Sequence, residues 1–552
     1  MKVIYFISDF FADEINGGAE KCNEALIEKL SEDFQISKIK SSELTTEKIE
    51  NFNGFFIIAN FFQLSEECKS VLIEKKEYVI YEHDHKYIST NNPIKFRNFL
   101  APQSYIINKD FFRSAKYVMC QSKKHAETVY KNLLIDNIVN LGVNFWKDSD
   151  LDLLSAKMKN QKEVKYSAMY TQNPNKGLNK AVAYAKQNNL DLDMIPNLPY
   201  ENFIEHLSKV DNFVFFPQWL ESYSRVAVEA RVLNCKIITN NLLGVAQEGY
   251  FKLKGADLLS TIKKEMKKAL SVVKSIINEE KVQRNFNRQP IPKITISSTF
   301  YEGDEFIKGF LDDITSQTIF DKCELIILNA NSPGKEESII LDYCEKYKNI
   351  IYKKLDYRAT TTEAINMVID ELATGEFITI GNIDDRRRKD CLEVQAKHLM
   401  FNQDVDLVYS DSFQTEVGNE TYESNSANGN LYEHSKLQFS PENMIKCQPG
   451  PLPMWRIAIH RDLGLFDKEY EFANDWDMWL RMVDAGKKFL KINDVLGLYY
   501  FNPKGRSTSP ESFKEKIKEE SKLFFKYEHI FGERNCNLYR QHFLQGVEQS
   551  EE

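Results

Sequence analysis

"EFITIGNIDDRRRKD", residues 376–390, runs from a short apolar segment into two adjacent aspartates and then three arginines. The segment EFITIGN (376–382) is rich in β-branched and aromatic residues and predicts a strand. Asp384 and Asp385 then fall at its carboxyl end, where open α/β sheets bind their ligands. Neighbouring carboxylates at such a place suit Mg²⁺ or Mn²⁺, because these ions accept few protein oxygens and leave positions for phosphate. An isolated Asp-Asp pair is also ordinary turn composition. Arg386–Arg388 are expected to cover a solvated or phosphate-facing edge. The surroundings decide between these readings.

Outward from this stretch, KITISSTF (293–300), ELIILNA (324–330) and NIIYKKL (349–355) predict further strands separated by helical sequence. The same alternation fills the first part of the chain. VIYFIS (3–8), FFIIAN (55–60), YVIYEH (78–83) and YVMCQS (117–122) are followed by a second set that begins near Tyr166 and includes FVFFPQ (213–218) and CKIITNN (235–241). Strands alternating with amphipathic helices give an α/β fold class with parallel sheets. Residues 1–253 divide into two Rossmann-like halves, about 1–145 and 146–253. LLSTIKKEMKKALSVVKSIINEEKVQ (258–283) is one amphipathic helix with a basic face, and NRQPIP (287–292) carries two prolines. Residues 254–291 are therefore expected to be a helical connector and linker, 292–510 a separate α/β domain, and 511–552 a helical tail.

Composition narrows the function. The chain has 552 residues, 42% hydrophobic and 28% charged, with a formal charge of −9 from 72 basic and 81 acidic residues. A mildly acidic chain argues against general nucleic-acid binding, which needs clustered cations, while local pockets for a phosphorylated ligand stay open. The nine cysteines are scattered without a CxxC pair, which favours a reducing compartment. The opening MKVIYFISDFFADE predicts a strand rather than a signal peptide. The longest apolar runs, such as GFFIIANFF (54–62), are too short to span a bilayer. A cytoplasmic location is expected, with peripheral contact at the inner membrane face left open.

The order of segments in 292–510 resembles a family 2 glycosyltransferase of the GT-A fold. The resemblance rests on SSTFYEGDEF (297–306), CELIILNANSPGKEES (323–338), EAINMVIDELATGEFITIGNIDD (363–385), VDLVYSDS (405–412) and FANDWDMWLRMVDAG (472–486). It implies donor contacts from Thr299, Glu302, Asn331, Asn366 and Asp384, and a divalent cation held by Asp385 with Asp384. Asn382 stands where many relatives carry the first acid of an Asp-x-Asp pattern. Asp475 would be the general base toward the acceptor hydroxyl, and Trp476 an acceptor platform or core residue. Asp475 could equally cap a helix, and Asp477 could act as an acid in its first turn. NANS (329–332) lacks the family's base-reading acid, and YYFNPKGRSTS (499–509) lacks its histidine, so Arg506 or Lys504 would take over the diphosphate contact.

The first 253 residues resemble GT-B glycosyltransferases of the family 4 type. PQWLESYSRVAVEARVLNCKIITNN (217–241) places Glu221 and Glu229 eight apart, as in that family's Glu-x7-Glu element, and NPNKG (173–177) resembles its lysine-glycine element. By this resemblance Glu229 bonds the donor ribose, Glu221 meets the sugar and Lys176 the diphosphate. In INGGAEKCNEALIEKL (15–30), Gly17 and Gly18 lead into a helix whose N-terminus favours an anion. YEHDHKY (81–87) offers His83 as an acceptor-side residue; hydrogen-bonded structural histidines are the competing reading for His83 and His85, and a zinc site lacks further ligands. The family's arginine six residues before the lysine is Tyr170 here. Together the resemblances imply a bifunctional glycosyltransferase using UDP- or GDP-sugars and a glycan or lipid-linked glycan acceptor. Its N-terminal half would be retaining and its C-terminal half inverting. The alternative is one active GT-A half with an acceptor-binding or scaffold GT-B half.

Overall fold

The structure, a computed structural model, describes residues 2–551 apart from 16, 76, 283–285 and 287, and omits the side chains of 511 and 546–551. The chain forms two compact units, Met1–Arg288 and Gln289–Glu552.

The first unit contains two parallel sheets. Strands β1 (Val3–Ser8), β2 (Gln35–Lys40), β3 (Phe55–Ile58), β4 (Tyr78–Tyr81), β5 (Val118–Cys120) and β6 (Ile138–Asn140) assemble in the order β2-β1-β3-β4-β5-β6. Strands β7 (Val164–Met169), β8 (Asp193–Ile195), β9 (Val210–Phe215) and β10 (Lys236–Thr239) assemble as β10-β9-β7-β8. Every residue of β3 and β4 is buried, which is why these strands are continuous apolar runs rather than alternating ones. The helix Gly255–Ile277 is not a free connector. Leu258, Ile262, Met266, Ala269, Val273 and Ile277 recur at three- and four-residue spacing along one face and share a core with Ile4 and Phe6. Gln283 and Asn287, the last residue of the expected helix and the first of the expected linker, lie outside the described residues.

The second unit is built on one mixed sheet. Its strands are β11 (Ile294–Phe300), β12 (Cys323–Asn329), β13 (Ile350–Lys354), β14 (Phe377–Ile380), β15 (Arg386–Arg387), β16 (Leu407–Thr415), β17 (Met454–Arg456) and β18 (Phe489–Tyr500). They lie in the order β13-β12-β11-β14-β17-β16-β18-β15. Strands β13 to β14 are mutually parallel, and β17 runs antiparallel to both β14 and β16. The chain walks outward from β11 to β13 and then crosses back to β14. The crevice beside the carboxyl ends of β11 and β14 is thus the switch point of the sheet. The tail forms two helices, Phe513–Lys526 and Glu528–Glu551, the second kinked at Gly532, where φ is 73°. Phe524, Phe531 and Phe543 lie in the same core as Trp476 and Trp479, so the tail is an integral layer of this unit.

Candidate functional sites

A cleft of about 350 Å³ opens at the switch point of the second unit, lined among others by Thr299, Asn382, Asp384, Asp385, Asp475 and Arg506. Asp385 is 1% exposed. Its carboxylate accepts from Asn382 Nδ2 at 2.9 Å and from the Tyr500 backbone N–H at 3.1 Å. Burial, followed by the charge of Asp384, pushes its acid up to about 7. Burial also raises Asp384, which accepts from Asn502 Nδ2 at 3.4 Å. Asn382 therefore orients Asp385 by donating to it. Among the described residues no group of three or more His, Cys, Asp or Glu could hold a metal ion. A buried and a half-buried carboxylate that each resist ionisation, with oxygen atoms only, still fit a divalent cation whose other positions a diphosphate would fill.

Asp475 lies in the first turn of the Asn474–Asp484 helix, whose N-cap position is Ala473, so it is not the cap. Its Oδ1 accepts from the Trp476 backbone N–H at 2.7 Å, and Cys447 Sγ lies 3.5 Å from Oδ2. Burial raises its acid. Asp477 is fully buried and ion-paired with Arg481 at 2.8 Å and Lys526 at 3.3 Å, a packing role.

Several expected contacts are elsewhere. Trp476 is 5% exposed, donates from Nε1 to the Met444 carbonyl at 2.7 Å and stacks with Phe531 and Phe543. It is a core residue and not an acceptor platform. Asn366 uses its amide on both backbone groups of Phe466, at 2.8 and 2.9 Å, and braces that loop; Thr361 and Ile365 of the same helix line the cleft instead. Glu302 and Asn331 occupy tight turns with φ of 54° and 60°, and neither lines this cleft. Arg506 lines it, ion-paired with Glu471, whereas Lys504 does not. Arg386 and Arg387 are buried rather than solvated, because β15 pairs with β18 and turns them inward. Arg386 donates to the carbonyls of Ile383 and Asp385, and the Arg387 backbone N–H donates to Asp313. Burial pushes the Asp313 acid up to about 6. Arg388 pairs with Asp390.

In the first unit a cleft of about 490 Å³ collects Gly17, Gly18, His83, Lys176, Glu221 and Glu229. These residues follow the carboxyl ends of strands in both sheets. Lys176 Nζ and Glu221 Oε1 are 2.9 Å apart. Gly177 fixes that lysine: φ is 72°, and a Cβ there would run into the Phe216 carbonyl. Glu229 Oε1 accepts from Trp146 Nε1 and the Tyr200 hydroxyl, both at 2.9 Å. Arg225, one helical turn before Glu229 and 3.5 Å from it, also lines the cleft. The sequence reading missed this cation, although its i,i+4 spacing to Glu229 was visible. His83 donates from Nε2 to Asn23 Oδ1 at 2.8 Å and accepts from Gln121 at Nδ1. Burial pushes it down to about 3, so it is neutral. His85 is consumed by the Tyr87 hydroxyl and the Leu220 carbonyl, at 2.8 and 3.1 Å. Tyr170 is 49% exposed and does not line the cleft.

The sequence model of the family Glycosyl transferase family 2 matches residues 295–463. An uncharacterized glycosyltransferase of Methanocaldococcus jannaschii is 28% identical over 237 residues, 42% of this chain and 76% of its own length. A mannosyltransferase of Pyrobaculum calidifontis, solved in complex with GDP-Man and Mn²⁺, is 18% identical with a TM-score of 0.35 over 43% of this chain. The chain spans 65% of that protein's length. S. aureus TarS 1–349 in complex with UDP-GlcNAc is 16% identical with a TM-score of 0.36, over 43% of this chain and 67% of its own. The C-terminal unit thus carries a glycosyltransferase family 2 domain. The matched segment contains Asp384 and Asp385 and ends before Asp475 and Arg506. Among the described residues no helix is long and apolar enough to cross a membrane.

Proposed function

We propose that the chain transfers sugars from nucleotide-sugar donors at two sites, extending one glycan by successive linkages. The observation that carries this reading is the convergence of Asp384, Asp385, Asp475 and Arg506 on one cleft at the switch point of the second unit. Asp384 and Asp385 would hold Mg²⁺ or Mn²⁺, which when bound supplies positive charge against the departing diphosphate. Arg506 adds a fixed cation, and Asn382 with the Tyr500 N–H keeps Asp385 aimed. An acceptor alcohol is a weak nucleophile. Asp475, whose acid burial has raised, is a stronger base for its proton than an ordinary carboxylate. A carboxylate pair for the cation and one remote carboxylate for proton transfer are the set that inversion by a single displacement needs.

The N-terminal cleft supports a second, retaining site. Glu229 is oriented for a ribose, and Lys176 and Arg225 supply two cations for a diphosphate. Glu221 would meet the sugar after parting from Lys176. His83, neutral and fixed in its tautomer, would face the acceptor. One observation favours a single active site instead: the family's arginine position is Tyr170, outside the cleft. In that reading the first unit binds or positions the acceptor. Bacterial surface polysaccharide, lipid-linked oligosaccharide or glycoprotein fits as acceptor, at the cytoplasmic side with peripheral membrane contact. A screen of UDP- and GDP-sugars with the full-length chain, with and without EDTA, tests the proposal. Each of Asp475→Asn and Glu229→Gln is expected to remove one linkage. Transfer surviving Asp475→Asn unchanged would reject the role of that residue.

A further inference from the structure

Beyond the switch-point cleft lies a second cavity of about 470 Å³ that shares Ser507 and Thr508 with it. Its size falls within the roughly 300–1,000 Å³ of ordinary small-molecule sites. Phe513, Lys516, Glu520 and His542 complete its functional lining. These residues all lie beyond the segment that matches the family model, which stops at residue 463. The first tail helix, Phe513–Lys526, supplies Phe513, Lys516 and Glu520, and the second supplies His542.

The side chains form an ordered set. Lys516 Nζ donates to the Ser507 carbonyl at 3.3 Å and stands 3.9 Å from Glu520 Oε1. Burial raises the Glu520 acid, with Lys516 opposing and the nearby charge of Asp475 adding to the rise. Phe513 leaves 59% of its surface exposed at the rim. An exposed aromatic ring thus stands beside a half-buried carboxylate, while the Thr508 hydroxyl already donates to the Asn502 and Gly505 carbonyls and keeps its oxygen as an acceptor.

We propose that this cavity is an acceptor subsite, holding a neutral hexose of the glycan beside the ring whose hydroxyl reaches Asp475. The inference rests on the C-terminal transfer reaction proposed above. Its chemistry follows from the lining. The C–H face of a pyranose lies on an aromatic ring such as Phe513. Its hydroxyls donate to Glu520, while Ser507, Thr508 and Lys516 offer both donors and acceptors. Lys516 and Glu520 offset one another in charge, so the cavity has no surplus cation to hold a phosphate or a sugar acid. This balance favours a neutral hexose over an anionic one.

The test uses the full-length protein and a panel of p-nitrophenyl hexosides, read by saturation-transfer NMR. UDP and GDP binding with Mn²⁺ is measured in parallel by calorimetry. Phe513→Ala is conservative for folding because the ring is exposed, and Glu520→Gln keeps the shape; unchanged melting temperatures check both. At least one hexoside is expected to give a signal that drops two-fold or more in each variant, with nucleotide affinity unchanged. Full hexoside signals in both variants, or none from the wild type while nucleotide binds, would overturn the subsite. Silent hexosides together with Phe513-dependent binding to anionic phospholipid vesicles would overturn it in favour of a lipid contact. Failure of the wild type to bind either nucleotide would instead sink the transfer reaction, and the subsite with it.

Discussion

Asp385 is 1% exposed and accepts two hydrogen bonds, yet burial and the neighbouring Asp384 still push its acid up to about 7 from an ordinary 3.8. Between about pH 4 and 7 the metal-free folded chain therefore keeps a proton that the unfolded chain has lost. Its stability falls as pH rises through that window. A divalent cation between the two carboxylates removes the penalty on the ionised form. Mn²⁺ is thus expected to raise the melting temperature more at pH 8 than at pH 6, and EDTA to reverse the rise. An equal increase at both pH values would place the cation elsewhere. Asp475, as the proposed base, makes a separate demand, since it would act on the acceptor and not on the donor. Asp475→Asn is expected to lower kcat by ~10²–10⁴-fold while the Kd for UDP or GDP stays within two-fold, roughly the limit of an undisturbed site. Weakened nucleotide binding would make Asp475 a donor contact. At this scale the meeting of Asp384 and Asp385 with a cleft was legible, because the end of an open-sheet strand faces the ligand crevice. The fate of Arg386 and Arg387 was not: their charge pointed to solvent, and only the pairing of β15 with β18 turns them inward.

The Asn474–Asp484 helix shows what an element's sequence records and what it leaves out. Its acidic and aromatic residues marked a helix start, and the helix does bury one face. It could not name what covers that face, because Phe531 and Phe543 lie 55 and 67 residues beyond Trp476. Trp476 thus looked free for an acceptor, although its indole N–H is already spent on Met444. Trp476→Ala is expected to cost about 3–5 kcal/mol of stability, the range for removing a buried tryptophan. Trp476→Phe should lower the melting temperature modestly and leave acceptor KM unchanged. A selective rise in acceptor KM with unaltered stability would restore the platform role. The same limit applies to Asn366, whose partner Phe466 is 100 residues away. Gly177 is a mixed case. Its left-handed φ of 72° is the kind of local demand that a glycine after the lysine can meet, whereas its closeness to Phe216, 39 residues on, is not local. Gly177→Ala is expected to destabilise the chain by about 1–3 kcal/mol and to displace Lys176.

At the scale of the whole chain, alternating strands and helices disclosed parallel α/β sheets because each strand must be apolar enough to be covered on both faces. The helix Gly255–Ile277 was misplaced as a connector for a complementary reason. An amphipathic helix states that one face is buried, and nothing in it says against which sheet; the core it joins includes Ile4 and Phe6, over 250 residues earlier. The boundary between the units falls after Arg288, close to the paired prolines at 290 and 292. Two donor sites on one covalent chain, as proposed, would have a kinetic consequence. A glycan released from the first site would meet the second at an effective concentration set by the tether rather than by the bulk. Asp475→Asn and Glu229→Gln each leave one site intact, so an equimolar mixture of the two variants contains both activities on separate molecules. At nanomolar enzyme the wild type is expected to form the doubly extended product without delay. The mixture should accumulate the singly extended intermediate first, and the lag should shorten as enzyme concentration rises. If Glu229→Gln alone yields the same products as the wild type at the same rate, the first unit performs no transfer. The single-site reading, favoured by Tyr170, would then hold.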